Sequence, residues 1–290
     1  MDQQATVTAV PTRLGPLRVQ TLGDGPPAML WHSLFVDSTT WIRVRQPLAG
    51  ARRLLLIDAP GHGGNPPVSR PYTLADCADA ATDILDHFGI DGPVDWLGNA
   101  LGGHVGIVFA AMHPRRCRTL AAIGAPVHAL SPVERRRIKL LLAMYRMVGP
   151  GAVANILVDA LLGPNARTGD PDGAAIVANA FRRASRRGMT QAIRSVSLDR
   201  PDLTDQLSRI TAPTLLTTGH DDPMWTTSNA RNAASHLANG ALVFLPAAGH
   251  IGPLLQAAPD VVDLIMAFWR APDTTVAGRR GATASPRTLP

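Results

Sequence analysis

Lysine and cysteine are nearly missing from this 290-residue chain. Lys139 is the one lysine, so the net charge of +6 rests on arginine, placed singly or in short clusters such as Arg135-Arg136-Arg137 and Arg182-Arg183. Without a long basic tract interleaved with aromatics, the usual footprint of a nucleic-acid binder is missing, and the clusters read as solvated helix faces. Cys77 and Cys117 stand far apart with no C-x-x-C spacing and no histidine partner, which argues against a disulfide scaffold and for a reducing compartment. No apolar run approaches the ~20 residues that span a bilayer. The opening Met-Asp-Gln-Gln-Ala-Thr has neither the positive start nor the apolar core of a signal peptide. No histidine set has metal-ligand spacing, no glycine-rich loop fits a phosphate grip, and no internal repeat is visible. The expectation is a soluble cytoplasmic protein, without cofactor or metal, whose partner is a small molecule and neither nucleic acid nor membrane; a homodimer is compatible with the sequence.

What is present is ample core material, 46% hydrophobic residues, enough for one large α/β domain with an insertion. Alternation marks an antiparallel edge hairpin over Thr6–Arg18 and Leu17–Leu22. Continuous apolar runs at Ala28–Trp31, Arg53–Asp58, Val94–Leu97 and Thr119–Ile123 read as buried strands, with helical spacing at Tyr72–Phe88 and Val105–Met112. This alternation predicts βαβ units and a mostly parallel sheet flanked by helices. From about Ser131 to Leu207 the pattern is helical only, at Val133–Val148, Ala152–Leu162, Gly173–Arg187 and Thr190–Leu198. Strands resume at Pro213–Thr218 and Ala241–Leu245, with helices at Thr226–Ala238 and Pro259–Trp269. Residues 1–130 and 208–270 are therefore assigned to an eight-stranded α/β core, 131–207 to an inserted all-helical lid, and 271–290, poor in large apolar side chains, to a disordered tail.

The stretch with chemical content is Gly98-Asn99-Ala100-Leu101-Gly102, where an apolar strand runs into an apolar helix. A strand–turn–helix elbow holds its central residue in a strained conformation to present one side-chain atom, and glycines two positions either side keep neighbours from clashing. Here that atom is missing, because Ala100 has no oxygen. Two later strands end in candidate partners: Gly219-His220-Asp221-Asp222 after Pro213–Thr218, and Gly249-His250 after Ala241–Leu245. Side chains leaving the carboxyl ends of parallel strands converge at the sheet's switch point. His250 there serves as general base, with an aspartate holding its tautomer.

These segments, with His32-Ser33-Leu34 and the Asp58-x-Pro60-Gly61-His62-Gly63 loop, resemble the α/β-hydrolase superfamily over roughly residues 6–270. The resemblance implies an α/β-hydrolase fold, picks Asp222 over Asp221 as the acid, and implies that the N–H groups of Leu34 and Leu101 form an oxyanion hole. Ser33 stands where the family usually has glycine. In the family the Asp58 and His62 loop is structural; His104 and His32 are read as packed or hydrogen-bonding histidines. Phe35, Met144, Tyr145, Trp225 and Ile251 are expected to line an apolar substrate pocket.

Ala100 admits two histories. Either a serine hydrolase has had its nucleophile replaced, which is the preferred reading because an intact dyad has little reason to persist without one, or the natural chain carries alanine. In the second case the His250 and Asp222 dyad acts as a non-covalent acid–base pair, as in lyases or cofactor-free oxygenases, or the pocket only binds. The apolar lining favours a small hydrophobic ester or lactone. His32-Ser33-Leu34 with Trp41 resembles the enol-lactonase and carboxylesterase branches; the elbow also resembles carbon–carbon bond hydrolases of aromatic-ring breakdown, whose oxyanion loop is richer in glycine.

Overall fold

Strands whose every residue is apolar need cover on both faces, and the central strands of this chain have it. The computed structural model describes residues 4–271; the expected disorder of the tail falls almost wholly on 272–290, outside them. Eight strands form one sheet: β1 (Thr6–Val10), β2 (Leu17–Leu22), β3 (Pro27–Trp31), β4 (Arg53–Ile57), β5 (Val94–Asn99), β6 (Cys117–Ile123), β7 (Thr214–Asp221) and β8 (Gly240–Ala248), in the order β1-β2-β4-β3-β5-β6-β7-β8. The β1–β2 and β2–β4 pairs are antiparallel; all others are parallel.

Between β3 and β4 lies α1 (Arg45–Ala49), between β4 and β5 α2 (Leu74–His87), and between β5 and β6 α3 (Leu101–Met112). The span from β6 to β7 is all helical: α4 (Pro132–Val148), α5 (Pro150–Leu162), α6 (Ala166–Gly169), α7 (Pro171–Arg183), α8 (Arg186–Ala192), a π-helical turn at Ile193–Leu198, and α9 (Thr204–Leu207). After β7 come α10 (Thr227–Ser235), then β8, α11 (Gly252–Gln256) and α12 (Ala258–Arg270). Local signals set the longer helices going. Thr73 and Asp76 form a reciprocal capping box on α2, and Ser131 and Glu134 do the same on α4.

The topology fixes where a ligand can sit. From β3 the chain moves outward to β4, then returns to the other flank of β3 as β5, so a crevice opens at the carboxyl ends of β3 and β5. Under it the core is aromatic: Trp96 stacks between Trp31, at 6.0 Å, and Phe109, at 4.8 Å. The Trp96 Nε1–H donates to the Gly102 carbonyl at 2.9 Å, tying the first turn of α3 to the strand below it.

Several boundaries differ from expectation. The helix after the elbow starts at Leu101, not Val105, because Gly102 and Gly103 are taken into its first turn. Strand β7 runs on through Gly219-His220-Asp221, with a register shift between Gly219 and Asp221, and β8 continues through Pro246. The helical spacing over Gly173–Arg187 is broken after Arg183, where Ser185 accepts from the Gly188 N–H and caps α8. Among the described residues no helix is long and apolar enough to cross a membrane.

Candidate active site

At the end of β5 the backbone does what the glycine spacing predicts. Ala100 has φ 48° and ψ −104°, outside the regions an alanine adopts freely. A Cβ on Gly98 would lie 2.1 Å from the Gly102 oxygen, and one on Gly102 would lie 1.8 Å from the Trp31 oxygen, so neither position admits a side chain. The bend is pinned by three bonds: Ala100 N–H to the Ile123 oxygen at 2.8 Å, Gly102 N–H to the His32 oxygen at 3.1 Å, and Asn99 Nδ2 to the same Ile123 oxygen at 3.1 Å.

A second strained residue was not legible in the sequence. Phe35 has φ 73°, and the Val36 N–H donates back across it to the Leu34 oxygen at 2.9 Å, a γ-type turn. Ala100 and Phe35 are the two non-glycine residues with positive φ among those described. Each adjoins one of the two expected oxyanion donors, Leu101 and Leu34. Strain of this kind costs on the order of 1–3 kcal/mol per residue and persists where the surroundings impose it. Among the described residues, neither the Leu34 nor the Leu101 N–H donates to a protein acceptor.

Beyond the carboxyl ends of β7 and β8, His250 Nδ1 lies 3.0 Å from Asp222 Oδ2. The same carboxylate oxygen accepts the Thr218 hydroxyl at 2.9 Å, and Oδ1 accepts the Met224 N–H at 2.8 Å. Burial alone would raise the Asp222 pKa; the adjacent imidazole and these hydrogen bonds outweigh it and hold the acid below its ordinary value. An ionised Asp222 fixes the Nδ1–H tautomer of His250 and leaves Nε2 as the basic nitrogen. The dyad and the elbow share one support. The Ile123 carbonyl receives the Ala100 N–H, and the next residue, Gly124, is so close beneath the dyad that a Cβ there would lie 2.8 Å from the His250 oxygen and 3.5 Å from Asp222 Oδ2. Asp221 is exposed at the end of β7 and caps no helix; Thr226 caps α10.

The three other histidines near the site, His32, His62 and His104, are taken up in hydrogen bonds to the backbone. His32 bonds the Ser33 oxygen through Nδ1 at 2.7 Å and accepts the Ala59 N–H on Nε2 at 2.9 Å. His62 donates to the Pro60 oxygen at 2.9 Å, and burial, reinforced by His32, lowers its pKa to about 3. His104 bonds the Pro126 oxygen at 2.8 Å, and burial with the nearby Arg200 charge keeps its pKa well below the ordinary value. Asp58 is taken up by Arg18, at 2.9 Å, and by the Ser38 N–H, at 2.7 Å.

Of the expected pocket residues, two are joined through one the sequence reading passed over. Phe35 packs edge-on against Phe181 of α7 at 6.2 Å, and Phe181 against Tyr145 of α4 at 5.1 Å. Phe181 was one apolar residue among many on a helical period, and nothing in its type marked it. Tyr145 is buried with its hydroxyl unpartnered among the described residues. Ile251 is buried beside the helical insertion, its N–H donating to the Leu161 oxygen at 3.0 Å. Met144 is half-buried against the core, and Trp225 is packed within it ahead of α10. The insertion is also tied directly to the loop that follows β3: Arg183 pairs with buried Asp37 at 2.8 Å, and Asp37 caps the turn at Ser38–Trp41. No group of three or more potential metal-ligating side chains occurs among the described residues.

The sequence profile of the alpha/beta hydrolase fold matches residues 26–257. A pimeloyl-[acyl-carrier protein] methyl ester esterase of Chromobacterium violaceum is 35% identical over 37% of this chain, a stretch that spans 40% of that protein's length. A 2-hydroxy-6-oxononadienedioate/2-hydroxy-6-oxononatrienedioate hydrolase of Cupriavidus pinatubonensis is 28% identical over 69% of this chain and 68% of its own. Among solved structures, the enol-lactonase from Burkholderia xenovorans superposes with a TM-score of 0.83 at 22% identity, covering 91% of this chain and all of that one. A thermophilic esterase from Thermogutta terrifontis gives the same TM-score at 24% identity, over 93% and 100%. At such identities the two structures speak to the fold.

Proposed function

The chain belongs to the alpha/beta hydrolase fold family, and on that premise we propose that its site is built to hydrolyse a small hydrophobic carboxylic ester or lactone, with Ala100 occupying the nucleophile's place. The observation that carries this reading is the pair of strained residues, Ala100 and Phe35, each beside an N–H with no protein acceptor among the described residues, together with a dyad whose acid is satisfied on both oxygens and which packs on Gly124, next to the Ile123 carbonyl that holds the bend. In the reaction the ester carbonyl oxygen sits between the Leu34 and Leu101 N–H groups, where charge develops in the tetrahedral intermediate. With serine in place of Ala100, His250 Nε2 takes the proton of the attacking hydroxyl and returns it to the leaving alkoxide, while Asp222 stabilises the imidazolium. The Phe35–Phe181–Tyr145 aromatic run supplies an apolar wall for the acyl or alkyl group. Residues 131–207 close over the site as a lid, held down by Arg183 on Asp37.

Alanine at position 100 forms no acyl-enzyme. With the chain as it stands, the base is left to act on water or on a substrate proton, the non-covalent reading, which the fully supported dyad favours over a merely binding pocket. Methyl esters are the substrates to try first, since a relative is named for one. The decisive experiment is Ala100→Ser. It is expected to raise turnover of short p-nitrophenyl esters on the order of 10⁴-fold or more, the scale on which losing a nucleophile acts in a serine hydrolase. A variant that keeps its thermal midpoint and gains no turnover contradicts the proposal.

A further inference from the structure

Helix α4 is amphipathic toward the core, where Leu142 and Tyr145 are buried, yet its opposite face is not simply polar. Val133, Leu140 and Met147 recur every seven residues, a spacing that returns to nearly the same side of a helix. They are 60%, 63% and 76% exposed. Val148 and, on α5, Ile156 are exposed too; five of the eight exposed large hydrophobic side chains among the described residues lie on these two helices. The basic residues are distributed about this stripe. At 100° per residue, Arg137 falls on one side of it and Arg136, Lys139 and Arg146 on the other. Glu134 is the one carboxylate on α4, and it is spent on the Ser131 cap.

We infer that this outer face of α4 lies on an anionic lipid surface, with Leu140 and Met147 entering the acyl boundary and the flanking arginines and Lys139 at the headgroups. Three features choose this occupant. The stripe is a ridge about 21 Å long on a single convex helix, suited to sinking into a soft planar interface. Its flanks are basic on both sides, the charge order of helices that lie in an anionic interface and keep their cationic heads at the surface. A second copy offers no complement, because α4 packed on α4 sets arginine against arginine. The expectation of no membrane partner rested on the lack of a long apolar run, and a surface-lying helix needs none. This inference is independent of the hydrolytic reading.

The full chain is floated with vesicles of phosphatidylcholine alone and of phosphatidylcholine mixed with phosphatidylglycerol. Binding is expected on the anionic vesicles and not on the neutral ones, weakening as salt is raised. Arg136→Gln with Arg137→Gln is expected to lower the partition coefficient on the order of tenfold. Leu140→Asp with Met147→Asp is expected to abolish binding while the melting curve stays that of the parent, since both side chains are exposed. No flotation on anionic vesicles overturns the inference, as does flotation that the Leu140→Asp, Met147→Asp chain retains. Retention on polyglutamate without flotation would assign the face to an acidic protein, and a concentration-dependent dimer lost in the same variant would assign it to a second copy; either result overturns the lipid assignment.

Discussion

The two halves of the candidate site have been kept in different ways. At the dyad, Asp222 has a donor for each oxygen and lies 3.0 Å from His250 Nδ1. At the elbow the backbone devices are present, the positive-φ residue, the excluded side chains at Gly98 and Gly102 and, among the described residues, the Leu34 and Leu101 N–H groups without a protein acceptor, while the side chain at 100 is a bare methyl. The contrast separates what geometry needs from what chemistry needs. A strained bend costs stability whatever side chain it carries, and here it forms with alanine, so the surrounding packing and not the side chain at 100 holds it in place.

The comparison can be broken first at the base end. In an Ala100→Ser background, Asp222→Asn is expected to cost on the order of 10⁴ in kcat, since an amide cannot hold the Nδ1–H tautomer in the same way; a loss under tenfold would mean that the dyad is structural. At the elbow the next largest effect is on folding. Gly98→Ala is expected to destabilise by roughly 3 kcal/mol or more, because the new methyl meets the Gly102 backbone rather than a movable side chain; denaturant midpoints measure it, and an unchanged midpoint would remove the packing argument.

How far this contrast was legible beforehand depends on what enforced each feature. The elbow is written in residue type, since only glycine fits at 98 and 102; His250 and an aspartate at 221 or 222 follow from strand ends in a parallel sheet, and the resemblance to the α/β-hydrolase superfamily chose Asp222. The alternation of strands and helices likewise announced the eight-stranded sheet. Phe35 was named as a pocket residue, but its left-handed backbone was invisible, because a bulky side chain there is imposed by the turn across Leu34 and Val36 and not favoured by it. The Arg183–Asp37 pair joins residues far apart in sequence, and no local pattern connects them. Strands β7 and β8 outran their apolar cores because pairing resumes at Asp221 and Ala248 beyond a register shift that passes over His220 and Pro246.

A smaller, pH-dependent effect comes from the histidines outside the dyad. His62 is buried neutral with its pKa lowered to about 3 from an ordinary 6.5, and His104 is lowered in the same direction. Below about pH 6.5 the unfolded chain therefore holds protons that the folded chain does not, so this contribution to stability is full above that pH and is lost progressively as pH falls toward about 3. Chemical denaturation across that window should show the decline, and His62→Gln should make it shallower; a flat profile would contradict the burial account.

The most direct test of the central claim is the intact mass of the Ala100→Ser chain after treatment with a fluorophosphonate ester. One covalent adduct is predicted, forming at least tenfold more slowly when His250→Ala is added, because the base that activates the hydroxyl is then gone. A folded Ala100→Ser chain that takes no adduct, or takes it equally fast without His250, would contradict the account.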